Sequence, residues 1–195
     1  MTRLAIFASG TGTNFEAIMQ SIINKDLKAE VVLLVCDHLD ALVITKASKY
    51  QVPVFKFNPK NYSSKSAYEA EIVKQCQTQK VDLIVLAGYM RILDKTLLAA
   101  YPNKIINIHP SLLPAFKGKD AIGQAINYGV KVMGVSIHYV NSEMDGGKII
   151  AQRSFEVLEN MTPKDIEAKI HQIEHVLYPK TIKKLIEEEA KWKEL

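Results

Sequence analysis

Cysteine is scarce in this sequence: Cys36 and Cys76 are the two in 195 residues. One sits in an apolar run and the other in a helical stretch, and no C-x-x-C spacing joins them, so a disulfide framework and a structural zinc site are excluded. Long hydrophobic runs are missing too. None reaches the roughly 20 residues of a membrane-spanning helix, and the apolar part of Met1–Gly10 is too short for a signal peptide. A cytoplasmic chain with no membrane partner is expected. Charge of either sign forms no dominant block. Lys and Arg number 25 against 21 Asp and Glu, a net charge of +4, but the positives are scattered except near the C-terminus and carry no interleaved aromatics. That argues against a nucleic-acid platform and favours a small anionic ligand. With no internal repeat and no linker, residues 1–195 are expected to form one domain.

What is present is an alternation of buried runs and amphipathic stretches. Leu4–Ala8 is a continuous apolar run, as in a strand covered on both faces, and Phe15, Ile18, Met19, Ile22 and Ile23 follow at helical spacing. Glu30–Cys36 reads as a second buried strand, Leu39–Tyr50 as a helix and Val52–Phe55 as a short strand. Ser63–Gln79 reads as a long helix with Tyr68, Ile72, Val73 and Cys76 on one face. Val81–Ala87 is another buried strand, Ile105–His109 a strand stopped by Pro110, and Gly118–Asn127 a short helix. Val132–Val140 alternates and places Gly134, Ser136 and His138 on one face. The Gly146–Gly147 pair permits a sharp reversal, and Lys148–Val157 is the returning arm of a hairpin. Thr162 as cap and Pro163 at the first position start the last helix. It runs toward Trp192 with E-E-E and K-W-K as a solvated face. The order predicts an α/β fold: a mostly parallel twisted sheet with right-handed crossovers, helices on both faces and an antiparallel C-terminal hairpin strand.

Two stretches carry candidate chemistry. Ser9–Asn14 joins the first strand to the first helix. Its glycines let the backbone approach a ligand, and the free N–H groups of the helix start make an anion site. Phe15 stands where a dinucleotide fingerprint wants its third glycine, and no G-K-[ST] ending follows, so the loop suits one phosphate better than a pyrophosphate. Without that third glycine, Asp37, just after the second strand, is assigned a loop or capping role. The second stretch is I-I-N-I-H-P-S-L-L-P from Ile105 to Pro114. Asn107 and His109 share one face, and His109 lies at the strand's C-terminal end, where open parallel sheets bind ligands. Asp145 is expected on the same edge.

Each of these groups suits part of an acyl transfer. An amide N–H holds the oxygen that becomes negative in a tetrahedral intermediate, an imidazole moves a proton between two nitrogens, and a carboxylate favours the imidazolium. No activated nucleophile is visible, since Ser111 is too close to His109 and no G-x-S-x-G elbow occurs, so direct transfer is favoured. Two metal readings compete. His109, His138 and Asp145 could make a two-histidine, one-carboxylate site, although a buried hydrogen-bonding His138 is the commoner outcome. His171–His175 matches H-x-x-E-H but lacks a source for a third ligand. No metal is expected.

With N-I-H-P-S-L-L-P from Asn107 to Pro114, then Gly118 and later Asp145–Gly146–Gly147, the chain resembles the folate-dependent formyltransferases along essentially its whole length. The resemblance implies a Rossmann-like formyltransferase fold with a phosphate-binding half of about 1–100 and a catalytic, folate-binding half of about 101–195. It implies formyl transfer from 10-formyltetrahydrofolate to the glycinamide amine of N1-(5-phospho-D-ribosyl)glycinamide, with Asn107, His109 and Asp145 as the catalytic trio. Carried over by position, Gly12, Thr13 and Asn14 hold the phosphate and Glu174 the sugar, a better account of H-Q-I-E-H than zinc. Met90, Arg91, Ile92, Leu93 and Asn107 contact the folate. Lys65 stands where some relatives place a folate-contacting arginine, and it keeps the charge without the bidentate fork. The expected partners are small molecules, the expected state a monomer or homodimer. Relatives using other acceptors, or hydrolysing the donor, carry an additional domain for which this length leaves no room. A non-catalytic nucleotide-binding module is the alternative of another class, and it has no need of the trio.

Overall fold

The structure is a computed structural model that describes residues 1–193, with side chains through residue 188. Its centre is a seven-stranded sheet. Thr2–Phe7 (β1) shows why it is two-sided: Leu4 and Ile6 enter one apolar cluster while Ala5 and Phe7 enter another, all with no exposure. Thr13–Ile23 (α1) and Leu42–Lys49 (α2) cover the first face with Phe15, Ile18, Val43 and Ala47. The long C-terminal helix Pro163–Lys193 (α6) adds Ile170, Tyr178 and Ile182 to that cluster. Lys65–Thr78 (α3) and Lys95–Ala100 (α4) cover the second face with Tyr68, Ile72, Cys76 and Leu97.

Ala29–Cys36 (β2), Val54–Lys56 (β3), Leu83–Leu86 (β4), Ile105–His109 (β5), Val132–Tyr139 (β6) and Ile149–Glu156 (β7) complete the sheet in the order β3-β2-β1-β4-β5-β6-β7. The first five strands by chain order are parallel, β6 runs antiparallel to β5, and β7 antiparallel to β6. The expected mostly parallel sheet with a C-terminal antiparallel hairpin is therefore observed. Chain connection reverses direction across the sheet after β3, so the ends of β1 and β4 lie side by side, the place where such sheets leave a ligand crevice. Ala121–Tyr128 (α5) precedes β6. Tyr178 fixes α6 to the sheet centre. Its fully buried hydroxyl donates to the Leu86 carbonyl at 2.8 Å and lies 3.3 Å from the Ile106 carbonyl.

Several boundaries move. α5 begins three residues later than Gly118, because Gly118 and Asp120 have φ of 84° and 54°, outside helical geometry; Asp120 caps the helix through Gly123 N–H. β2 carries an extra residue against β1 between Val31 and Leu33, so Val32 and Leu33 both enter the second cluster. α4 is six residues of K-T-L-L-A-A with too little periodicity to be expected. Ile23 closes α1 on an exposed face, 54% accessible. The last helix starts as expected: Thr162 Oγ1 accepts from Asp165 N–H while Asp165 Oδ2 accepts from Thr162 N–H and Oγ1–H, a reciprocal cap. Glu187 and Glu188 are exposed, and the side chains of the remaining E-E-E and K-W-K run, Trp192 included, lie outside the described residues.

Candidate active site

The antiparallel register of β5 and β6 sets Asn107 opposite His138 and His109 opposite Ser136. His138 is 2% exposed. Its Nδ1–H donates to the Tyr139 carbonyl at 2.8 Å, because a carbonyl can only accept, which leaves Nε2 to accept from Asn107. The Asn107 amide nitrogen lies 3.3 Å from that Nε2. One amide N–H is thereby directed at His138, and the second has no partner among the described residues.

Asp145 enters from the turn after β6 with φ of 49°. The turn closes tightly: a Cβ on Gly147 would fall 1.7 Å from the Tyr139 carbonyl oxygen, so no larger residue fits there. Asp145 Oδ2 accepts from Gly118 N–H at 2.8 Å and stands 3.5 Å from His109 Nδ1, while Oδ1 stands 3.6 Å from His138 Nε2. Burial works to raise the Asp145 pKa, but the nearby imidazoles of His138 and His109 and the Gly118 hydrogen bond outweigh it and hold the carboxyl below its usual range. His109, 5% exposed, donates Nε2–H to the Phe116 carbonyl at 2.8 Å. The short bond fixes Nε2, and Nδ1 faces the Asp145 carboxylate at the longer distance. Among the described residues no group of three or more acidic, histidine or cysteine side chains is arranged to hold a metal ion.

The S-L-L-P turn that carries the chain out of β5 is held by hydroxyls. Ser111 Oγ donates to the Ala115 carbonyl at 2.6 Å, so it serves the turn and is not presented to His109. Ser136 Oγ donates to the Ser111 carbonyl at 2.7 Å and accepts from Leu113 N–H and Gln152 Nε2–H. The Leu113–Pro114 peptide is cis.

Gly12 sits at the start of α1 with φ of 71° and no side-chain cap on the helix. A Cβ there would lie 2.5 Å from Val43 Cγ2, so the glycine is required by α2 as well as by the turn. The N–H groups of Thr13 and Asn14 thereby start the helix without a side-chain cap, an arrangement chemically suited to an anion. The Asn14 side chain is turned elsewhere: Nδ2–H donates to Glu174 Oε2 at 3.0 Å, and its buried Oδ1 has no partner. Glu174, 5% exposed, also accepts from His171 Nδ1 at 3.0 Å. The glycine-rich loop and Glu174 thus form one cluster, Asn14 and Glu174 lying 160 residues apart in sequence. His175 stacks on His171 with centroids 6.2 Å apart and does not join it on a common centre. The groove of about 500 Å³ between α1 and α6, lined by Gln20, Asn24, His175 and Lys180, contains none of the trio.

Met90–Leu93 follows β4. Met90 and Ile92 are 72% and 61% exposed, an unusual outlay of apolar surface, while Leu93 is buried. Arg91 Nε–H donates to Asp37 Oδ2 at 2.7 Å, and Met90 N–H donates to Ser9 Oγ at 2.9 Å. Asp37 is therefore no simple loop or capping residue; its buried carboxylate also accepts from Ser9 Oγ–H. Glu69, 1% exposed, accepts from Asp94 N–H at 2.7 Å and Leu97 N–H at 3.1 Å and anchors the end of the segment. Lys65 lies in the first turn of α3 and makes no hydrogen bond or ion pair with Met90–Leu93 among the described residues. His138 is the buried hydrogen-bonding residue expected of its strand position, whereas its pairing with Asn107 and the contacts of Asp37 and Glu69 are what sequence reasoning missed. The one available signal was the position of Asp37 directly after a strand's C-terminal end.

Residues 2–182 match the family model described as formyl transferase. Over 186 residues the chain is 51% identical to the phosphoribosylglycinamide formyltransferase of Bacillus subtilis, covering 95% of each chain. It is 35% identical over 183 residues to the protein of the same name from Haemophilus influenzae, covering 94% of this chain and 86% of that one. Among solved structures, phosphoribosylglycinamide formyltransferase from Bacillus halodurans superposes with a TM-score of 0.93 at 51% identity, over 95% of each chain. Glycinamide ribonucleotide transformylase 1 from Geobacillus kaustophilus gives 0.93 at 52% identity, over 95% of this chain and 98% of that one.

Proposed function

The chain belongs to the formyl transferase family, and from that premise we propose that it moves the formyl group of 10-formyltetrahydrofolate onto the glycinamide amine of N1-(5-phospho-D-ribosyl)glycinamide, a step of purine (IMP) biosynthesis. The observation that carries the reading is the convergence of Asn107, His109 and Asp145 at the end of β5, with Asp145 3.5 Å from His109. The exposed Met90 and Ile92 beside this strand end fit a flat, largely apolar donor such as a folate.

In this reading the folate donor supplies the formyl carbon, which becomes tetrahedral as the amine adds. Asn107 offers the amide N–H that His138 leaves free and holds the oxygen that turns negative. His109 takes the proton released by the attacking nitrogen and returns it to the departing folate nitrogen, so that one C–N bond forms, the other breaks, and no proton is left over. Asp145, whose carboxyl is held below its usual range, favours the imidazolium and fixes the ring. Thr13 and Asn14 N–H groups receive the phosphate, and Glu174 accepts from the sugar hydroxyls.

The reading is tested by tetrahydrofolate release from 10-formyltetrahydrofolate with the glycinamide acceptor present and absent. Release that depends on the acceptor, with formylated acceptor as product, is expected. Release without acceptor would make the protein a hydrolase, and no release in either case would leave a binding module.

A further inference from the structure

Within the proposed reaction, on which this inference rests, we propose that Asp37 is a positioning residue whose carboxylate braces the Met90–Leu93 segment against the glycine-rich loop and thereby sets the affinity for the folate donor. The side chain of Asp37 is 1% exposed. A carboxylate so deeply covered requires partners for both oxygens, and here they come from two different strand ends. Oδ1 accepts from Ser9 Oγ–H at the end of β1, and Oδ2 accepts from Arg91 Nε–H just after β4.

Ser9 closes the circuit. Its Oγ accepts from Met90 N–H at 2.9 Å and its own N–H donates to the Gly88 carbonyl at 3.0 Å. One carboxylate therefore holds the Met90 backbone through Ser9 and the Arg91 side chain directly. β2, β1 and β4 are consecutive in the sheet, so the brace spans the crevice where chain connection reverses. Burial opposes ionisation of Asp37, yet the hydrogen bonds from Ser9, His38 and Arg91 hold its pKa below the usual carboxylate range. The charged form is what the bonds require. His38 Nδ1, 3.1 Å from Oδ1, is the remaining titratable neighbour in contact.

The two ligand loops do not depend on Asp37 equally. The glycine-rich loop has further anchors, Val43 N–H to the Gly10 carbonyl at 3.1 Å and Glu16 N–H to the Gly12 carbonyl at 3.1 Å. Met90 and Arg91 make their polar side-chain-mediated contacts through Ser9 and Asp37. Loss of the carboxylate accordingly falls on the donor.

The test is steady-state kinetics on the full-length protein, varying 10-formyltetrahydrofolate and the glycinamide acceptor separately. Asp37→Ala is expected to raise the donor KM about 10-fold, the scale of one lost charge-assisted hydrogen bond, with acceptor KM and kcat within about 3-fold of wild type. Asp37→Asn, which keeps one acceptor oxygen, is expected to fall between the two, and it decides the matter alone if Asp37→Ala does not fold. Donor KM unchanged in a folded variant, or both KM values rising in equal proportion, overturns the proposal. Absence of formyl transfer by the wild-type protein overturns the functional reading instead.

Discussion

His138 faces Asn107 across the β5–β6 ladder, its Nε2 3.3 Å from the amide nitrogen. Because the other ring nitrogen is held by the Tyr139 carbonyl, His138 accepts from Asn107 and fixes the orientation of its amide. Asn107→Ala is expected to lower kcat by ~10²–10³, the scale of one oxyanion donor. His138→Phe keeps the ring volume but removes the acceptor, so it should cost about 10-fold, one ordinary hydrogen bond's worth of orientation. Rates from saturating steady-state assays check both; a His138→Phe variant at wild-type kcat would show that Asn107 needs no such partner.

Glu174 and His171 give a pH signature. The Glu174 hydrogen bond raises the His171 pKa above its ordinary 6.5 against the opposing effect of burial, and the charges of Glu174 and Glu167 add to the rise. A raised folded-state pKa means the folded protein holds the proton more tightly. Its stabilisation is complete below the unfolded value and disappears as pH climbs through the folded value. The Tm deficit of His171→Gln should therefore be largest below about pH 6.5 and shrink above it. A deficit that does not vary with pH contradicts this account of the cluster.

Gly12 is constrained twice, by a φ of 71° and by Val43. Gly12→Ala should cost about 1–2 kcal/mol of stability from the left-handed backbone alone, with the Val43 clash added. The start of α1 must then shift, so the acceptor KM should rise while the donor KM changes little. Thermal unfolding and separate substrate titrations measure the two effects, and unaltered acceptor KM would place the phosphate elsewhere.

Much of this architecture is readable along the chain because burial on both faces writes itself as uninterrupted apolar runs, as in Leu4–Ala8 and Val81–Ala87. α4 escapes such reading because six residues of K-T-L-L-A-A hold too few turns for a period to show. Asn107 and His109 are visible as a pair since strand alternation alone puts them on one face. Their neighbours are not. His138 reaches Asn107 through an antiparallel register that no local pattern specifies, and Asp37 meets Arg91 54 residues away. Glu69 looks like one more charge on an amphipathic helix, yet it is buried beneath Asp94 and Leu97. Buried polar contacts of this kind are settled by tertiary packing, so they surface only once the strands are in order.

The most direct test of the account is a double-mutant cycle on His109 and Asp145, read as kcat for formyl transfer with binding of the phosphorylated acceptor followed separately. His109→Ala should cost ~10²–10⁴ in rate with acceptor binding near wild type, and adding Asp145→Asn to it should cost little more, because the carboxylate acts through the imidazole. Losses that multiply in the double variant, or acceptor binding that collapses with His109, would contradict it.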